Sequence, residues 1–299
     1  MTDLSLNGAF PPILTSFEEN GDIAHDKMAA NIEKWNAFPL KGMVIFGSNG
    51  EYPYLTSEEK LEVMETVAQN ARKDMVLIAG TGCESTRETI DMTNKAAKKG
   101  AHAALLLTPN YYTGAMNHGA LVQHFTAVAD ASDIPVLIYN VPKYTGINTS
   151  VALVSELSRH PNIIGLKDST GNVAQLAEVI DQVPSDFQTL VGTAGALMGA
   201  LSLGCVGGIL ALANIAPAQC LRLIELVKKG DMDSAAVLQR RLAPVNTAIT
   251  ATYGVAGLKA AMDMLGYYGG APRLPMQPAT DEVKAKIKDI LVTAKLLEG

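Results

Sequence analysis

Only three cysteines, Cys83, Cys205 and Cys220, occur in 299 residues, and they form neither an even set nor a C-x-x-C pair. A disulfide framework is excluded, and reduced, mostly buried thiols in a reducing compartment are expected. Charge is sparse as well: 18% of residues are charged, the formal balance is −6, and no basic run exists to neutralise a phosphate backbone. Nucleic acid is therefore not an expected partner. A small carboxylate ligand needs only a local cluster of donors, so composition does not argue against one.

The five histidines, His25, His102, His118, His124 and His160, lack H-x-H or H-E-x-x-H spacing and any accompanying carboxylate cluster, so no metal site is expected. There is no G-x-S-x-G elbow and no P-loop, which removes the commonest hydrolase and nucleotide readings. The amino terminus, MTDLSLNGAF, resembles neither a signal peptide nor a transit peptide, so a cytoplasmic location is expected. No charge occurs from Phe187 to Leu221, a length that could span a membrane. Six glycines between Gly192 and Gly208 interrupt it, and Asn214 and Pro217 close it, which predicts a strand, a packed helix and a buried strand with no membrane contact.

What is present is hydrophobic, 48% of the chain, enough for a large core. Short Val-, Ile- and Leu-rich runs recur at PPILTSF (near Ile13), GMVIF (Val44), MVLIAG (Leu77), AALLLTP (Leu105), IPVLIYN (Leu137), NIIGLKD (Ile164), FQTLVG (Leu190) and CVGGILAL (Ile209). Amphipathic stretches lie between them: Ser57 to Ala71, Ser85 to Lys99, Gly119 to Ala131, Val151 to Ser158 and Val173 to Gln182. Thr56 with Glu59 and Ser85 with Glu88 have capping-box spacing at two helix starts. Apolar strands alternating with helices predict an α/β fold, a (β/α)₈ TIM barrel with a C-terminal helical extension. A doubly wound open sheet is the alternative, disfavoured because GTGCEST at Gly80 and GTAGALMGA at Gly192 both miss the G-x-G-x-x-G spacing. The expected division is a barrel over residues 1–224 and a helical extension over 225–299.

In such a barrel, chemistry sits where each strand ends. Lys167 ends the sixth run, where burial would favour a neutral amine able to attack a ketone and form a Schiff base. A lysine reaching past the strand end to solvent is the other reading. Tyr139 closes the neighbouring run, where a phenol could relay protons or simply present a wet tip. Ser48 and Asn49 stand between two glycines, a setting for carboxylate binding and equally for a turn. Tyr111 and Tyr112 fit packing or subunit contact as well as catalysis.

Together, GSNGE (47–51), TPNYY (108–112), YNVP (139–142) and GLKDSTGN (165–172) resemble the dihydrodipicolinate synthase and N-acetylneuraminate lyase superfamily, over nearly the whole chain. The resemblance implies a class I, pyruvate-dependent carbon–carbon lyase with no cofactor beyond a covalent lysine imine. Within the superfamily, GSNGEYPYLTSEEKLEV, GCEST, HPNIIGLKDS and GYYGGAPRLP are most similar to mitochondrial-type 4-hydroxy-2-oxoglutarate aldolases, which release pyruvate and glyoxylate. It implies Lys167 as the Schiff-base lysine, Tyr139 as the proton shuttle, and Ser48 with Asn49 as carboxylate binders. Tyr111 would be a second tyrosine relaying through Ser48 across a subunit interface, with Tyr112 the alternative. Ser169 would touch the distal part of the substrate, and Gly192 and Ile209 would present backbone groups near the imine. The implied partners are a small 2-oxo acid and further copies of the chain, in a homotetramer built as a dimer of dimers.

Two departures from the synthase pattern stand out: Ser48–Asn49 replaces two adjacent threonines, and Tyr144 replaces the arginine that grips the second substrate. A tyrosine cannot supply the bidentate guanidinium fork, and neither can Lys143 beside it. The aldolase reading therefore leads. Dihydrodipicolinate synthase, a 2-keto-3-deoxy sugar-acid aldolase and a non-catalytic pyruvate-binding barrel are the alternatives.

Overall fold

The computed structural model describes residues 4–298. Its strands are β1 (Ala9–Phe10), β2 (Gly42–Ile45), β3 (Val76–Gly80), β4 (Ala103–Leu107), β5 (Val136–Asn140), β6 (Ile163–Asp168), β7 (Gln188–Val191) and β8 (Gly207–Ile209), every neighbouring pair parallel. They follow the order β1-β8-β7-β6-β5-β4-β3-β2. Pro12 bridges Val44 and the Ile13 N–H donates to the Val44 carbonyl at 2.9 Å, which brings β1 back beside β2 and closes the ring. The fold is a (β/α)₈ barrel.

The strands have no solvent face. Phe10, Val44, Ile78, Leu105, Leu137, Leu190 and Ile209 fill the interior, while Met43, Ile45, Leu77, Leu106, Ile138 and Leu166 point outward against helices. Burial on both faces is what makes these segments read as continuous apolar runs. The first run was placed near Ile13, but β1 lies earlier because Pro11 and Pro12 have no N–H to extend a ladder.

The helices between strands are α1 (His25–Asn36), α2 (Ser57–Asn70), α3 (Thr86–Lys98), α4 (His118–Ala131), the single turn α5 (Pro142–Thr145), α6 (Val151–Leu157), α7 (Val173–Gln182), α8 (Leu197–Ser202) and α9 (Pro217–Lys228). At the start of α2 both halves of the capping box form. At α3 only Ser85 reciprocates, accepting from the Glu88 N–H at 3.1 Å. The uncharged Phe187–Leu221 stretch resolves into β7, α8, β8 and the first residues of α9, and no described helix is long and apolar enough to cross a membrane. Burial pushes the unpaired thiols of Cys205 and Cys220 up to about 12 and that of Cys83 to about 11, as befits inert packing groups.

The extension consists of α10 (Met232–Thr247), a π-helical segment (Ala248–Thr252), α11 (Gly254–Met264) and α12 (Asp281–Thr293). The expected boundary after residue 224 falls inside α9, an unbroken helix with Ile224 and Leu226 both buried against the core. The extension is bound tightly to the barrel: Asn31 and Tyr268 exchange two hydrogen bonds of 2.8 Å, and the Trp35 and Tyr267 rings stack at 5.6 Å. The Arg273 guanidinium pairs with both carboxylate oxygens of Glu59 and with the Tyr54 carbonyl.

Candidate active site

Side chains alternate along a strand, so Leu137 and Tyr139 of β5 point inward while Ile138 points out, and on β6 Gly165 and Lys167 point inward while Leu166 points out. The register places Tyr139 directly opposite Lys167 at the C-terminal ends of these strands. Gly165 is required below them, because a Cβ there would sit 2.3 Å from the Gln188 carbonyl oxygen. One turn of the pleat further on, Asn140 and Asp168 face outward and join the two strand ends, Asn140 Nδ2 donating to Asp168 Oδ2 at 2.7 Å. The Thr170 N–H donates to Asp168 Oδ1 at 2.9 Å, so the loop after Lys167 is anchored from behind.

Lys167 and Tyr139 are 3% and 5% exposed, and the lysine Nζ lies 4.0 Å from the tyrosine ring centroid, over its face. The Tyr139 hydroxyl lies 3.4 Å from Ser48 Oγ. Burial alone would push the phenol up, but the Lys167 charge and the polar side chains of Ser48, Lys167 and Ser169 outweigh it and hold the phenol below its usual range.

Ser48 and Asn49 open a 3₁₀ turn (Ser48–Gly50) bounded by Phe46 and Glu51, whose φ angles of 60° and 55° are left-handed. Both line a cavity of about 280 Å³ together with Tyr139, Lys167, Ser169, Gly192 and Ile209. Seven of the eight site residues expected from sequence thus meet at one place. Tyr111 does not: it is 77% exposed, its ring edge-on to Tyr112 at 5.0 Å, in a loop whose Asn110 and Tyr111 N–H groups donate to Glu84. Within one chain it cannot complete a relay through Ser48.

Other wall residues were not singled out from sequence. Thr193 lines the cavity, and so do Asn246, Thr247, Ile249, Thr250, Ala251 and Gly254 of the extension. Ile249, Thr250 and Ala251 belong to the π-helical segment, where the wider turn shifts the helical register, and Asn246, Thr247 and Gly254 flank it. Asn246 Nδ2 donates to Thr193 Oγ1 at 3.2 Å, and Lys143 Nζ donates to the Thr250 carbonyl at 2.9 Å, so barrel and extension form the mouth together. The polar residues breaking the apolar pattern at Asn246, Thr247 and Thr250 were the available signal. Tyr144, 54% exposed, stands at the rim, and among the described residues no arginine lines the cavity.

Residues 5–294 match the Dihydrodipicolinate synthetase family. Similar proteins include the 4-hydroxy-tetrahydrodipicolinate synthase of Methanothrix thermoacetophila, 36% identical over 98% of each chain. That of Exiguobacterium sp. is 35% identical over 94% of this chain and 95% of its own. Among solved structures, a prophage protein of the dihydrodipicolinic acid synthase family from E. coli K12, in complex with pyruvate, superposes with a TM-score of 0.92 at 30% identity, covering 97% of this chain and 99% of that one.

Proposed function

The chain belongs to the dihydrodipicolinate synthetase family and is a Schiff-base-forming carbon–carbon lyase, and we propose that its reaction is retro-aldol cleavage of 4-hydroxy-2-oxoglutarate to pyruvate and glyoxylate. The observation that carries the imine chemistry is a buried lysine amine over the ring of a phenol whose oxygen lies near Ser48, all opening into one cavity. Lys167 Nζ adds to the C2 ketone, and loss of water, with Tyr139 moving the protons, leaves an iminium. The C4 hydroxyl gives its proton to the Tyr139 oxygen, left basic by the loss of water, as the C3–C4 bond breaks. The bond's electrons pass to the iminium as an enamine and glyoxylate departs. Protonation at C3 and hydrolysis then release pyruvate and regenerate the amine. No cofactor beyond this imine is needed.

Ser48 and Asn49 bind the carboxylate beside the ketone, Ser169 faces the distal part, and the backbones of Gly192 and Ile209 border the imine. Tyr111 joins the relay from a neighbouring copy, which suits its exposed ring and a homotetramer built as a dimer of dimers. The unpaired thiols suit a reducing cytoplasm.

A second reading, condensation of pyruvate with aspartate semialdehyde by a 4-hydroxy-tetrahydrodipicolinate synthase, is favoured by the names of the similar proteins. Both readings share the enamine and differ in the aldehyde. The aldolase reading rests on the cavity wall, which offers Tyr144 and a Lys143 already engaged with Thr250, and no bidentate guanidinium for a second carboxylate. Pyruvate release from 4-hydroxy-2-oxoglutarate and from a 2-keto-3-deoxy sugar acid, beside a reductase-coupled synthase assay, separates the three. The aldolase reading predicts the highest kcat/KM with 4-hydroxy-2-oxoglutarate, and higher turnover in either other assay overturns it.

A further inference from the structure

The residue that follows the Ser48–Gly50 turn carries a buried charge. Glu51 is 1% exposed, and Lys259 of α11 is fully buried, with its Nζ 3.1 Å from Glu51 Oε1. An ammonium has three protons to place. Two of those of Lys259 go to the Thr15 carbonyl at 2.9 Å and the Ala271 carbonyl at 3.0 Å, and its charge stands 3.1 Å from Glu51 Oε1 as an ion pair. The other Glu51 oxygen accepts from the Arg273 backbone N–H at 2.8 Å. Thr15 in turn donates its hydroxyl to the Gly50 carbonyl at 2.7 Å. One ammonium therefore reaches two consecutive residues, Gly50 of the turn through Thr15 and Glu51 just after it through the ion pair.

Stability does not account for this arrangement, since a buried ion pair roughly breaks even against apolar replacements. Burial pushes the Glu51 carboxyl up and the Lys259 amine down, so mutual attraction offsets desolvation only in part. Glu51 also holds a left-handed φ of 55°, a strain that persists only where the surroundings over-determine it. No atom of Lys259 lines the cavity, yet its partner adjoins the turn that carries Ser48 and Asn49.

We infer that Lys259 is a positioning residue: through Glu51 and Thr15 it holds Ser48 and Asn49 in the arrangement that receives the carboxylate of the 2-oxo acid. The inference rests on the proposed roles of Ser48 and Asn49 as carboxylate binders and Lys167 as the imine lysine. It gives the C-terminal extension a part in substrate binding from behind the cavity wall.

The test uses the full chain with pyruvate as probe, trapping the imine with borohydride across a pyruvate titration. The variants are Lys259→Met, the double variant Glu51→Gln with Lys259→Met, which leaves no unpaired buried charge, and Thr15→Val, which removes only the bond to Gly50. Near-UV circular dichroism reports the folded fraction. Half-saturating pyruvate rises about tenfold in the two charge variants, as expected when a charge-assisted contact worth about 1.4 kcal/mol is lost, and about threefold in Thr15→Val. Maximal trapping per folded molecule stays within about twofold of wild type, because Lys167 and Tyr139 are untouched. A purely structural role lowers the maximum and leaves half-saturation unchanged, and that result in the folded double variant or in Thr15→Val overturns the inference. Absence of a Lys167 adduct in the wild type overturns the imine reading itself, a distinguishable failure.

Discussion

Replacing Tyr139 by phenylalanine separates the phenol's chemistry from its packing. The ring fills the barrel interior beside Leu137 and Leu190, and Phe keeps that volume and the aromatic face under Lys167. The hydroxyl's hydrogen bond to Ser48 Oγ is a long one, 3.4 Å. Its loss costs at most about 1 kcal/mol of stability. As proton shuttle, the same oxygen contributes the about 10² to 10⁴-fold typical of general acid–base catalysis, or about 2.7 to 5.4 kcal/mol of barrier. Tyr139→Phe should therefore unfold within about 1 kcal/mol of wild type in urea while kcat/KM falls at least about a hundredfold. The phenol is held below its usual range, so wild-type activity should fall on the alkaline side as that proton is lost, and this limb should vanish in the variant. A variant retaining kcat/KM within about threefold, or losing activity in proportion to a large loss of stability, refutes the assignment.

Gly192→Ala puts a Cβ 1.9 Å from Ser169 Oγ and 2.9 Å from Ser169 Cα, so the strand end beside Lys167 must move. A loss of about 1 to 3 kcal/mol in urea denaturation, with at least about a tenfold loss of kcat/KM, is expected, and a variant of wild-type activity contradicts the proposed contact of Gly192 with the imine. His124 is held by burial at about 4, against 6.5 for a free imidazole, although the Glu84 charge pulls the other way. The unfolded chain takes up that proton near 6.5 and the folded one only near 4, so its contribution is intact above pH 6.5 and lost as pH falls toward 4. His124→Gln should therefore lose about 2 to 3 kcal/mol less than wild type between pH 7 and pH 4.5 in urea unfolding, and parallel pH dependences contradict this.

The barrel and half of its mouth were legible because strands apolar on both faces leave continuous runs whose closing residues, Lys167, Tyr139 and Ser48, fall at the strand ends. Helix α1 was not legible as a helix: it follows Ala24, which offers no side-chain cap, and its buried faces are Met28, Ile32 and Trp35 spread among polar residues. Thr250 lies in the π-helical segment, whose register shift no local period announces, while Asn246, in the last turn of α10, shows only as a polar residue in an apolar stretch. Lys259 did leave a mark, a single lysine between Leu258 and Ala260–Met262, but its meaning depends on Glu51 and Thr15, far away in the chain. The expected boundary after residue 224 lies inside α9, because the change in composition from there on does not coincide with a helix end.

The central claim is that Lys167 is the carbon-bond-breaking nucleophile, and borohydride reduction in the presence of pyruvate, followed by peptide mass mapping, addresses it directly. The account predicts one reduced pyruvyl adduct, on the peptide containing Lys167, and none in Lys167→Ala, which should also lose cleavage activity. An adduct on Lys143 or another lysine, or Lys167→Ala protein that cleaves its substrate at the wild-type rate, would contradict it.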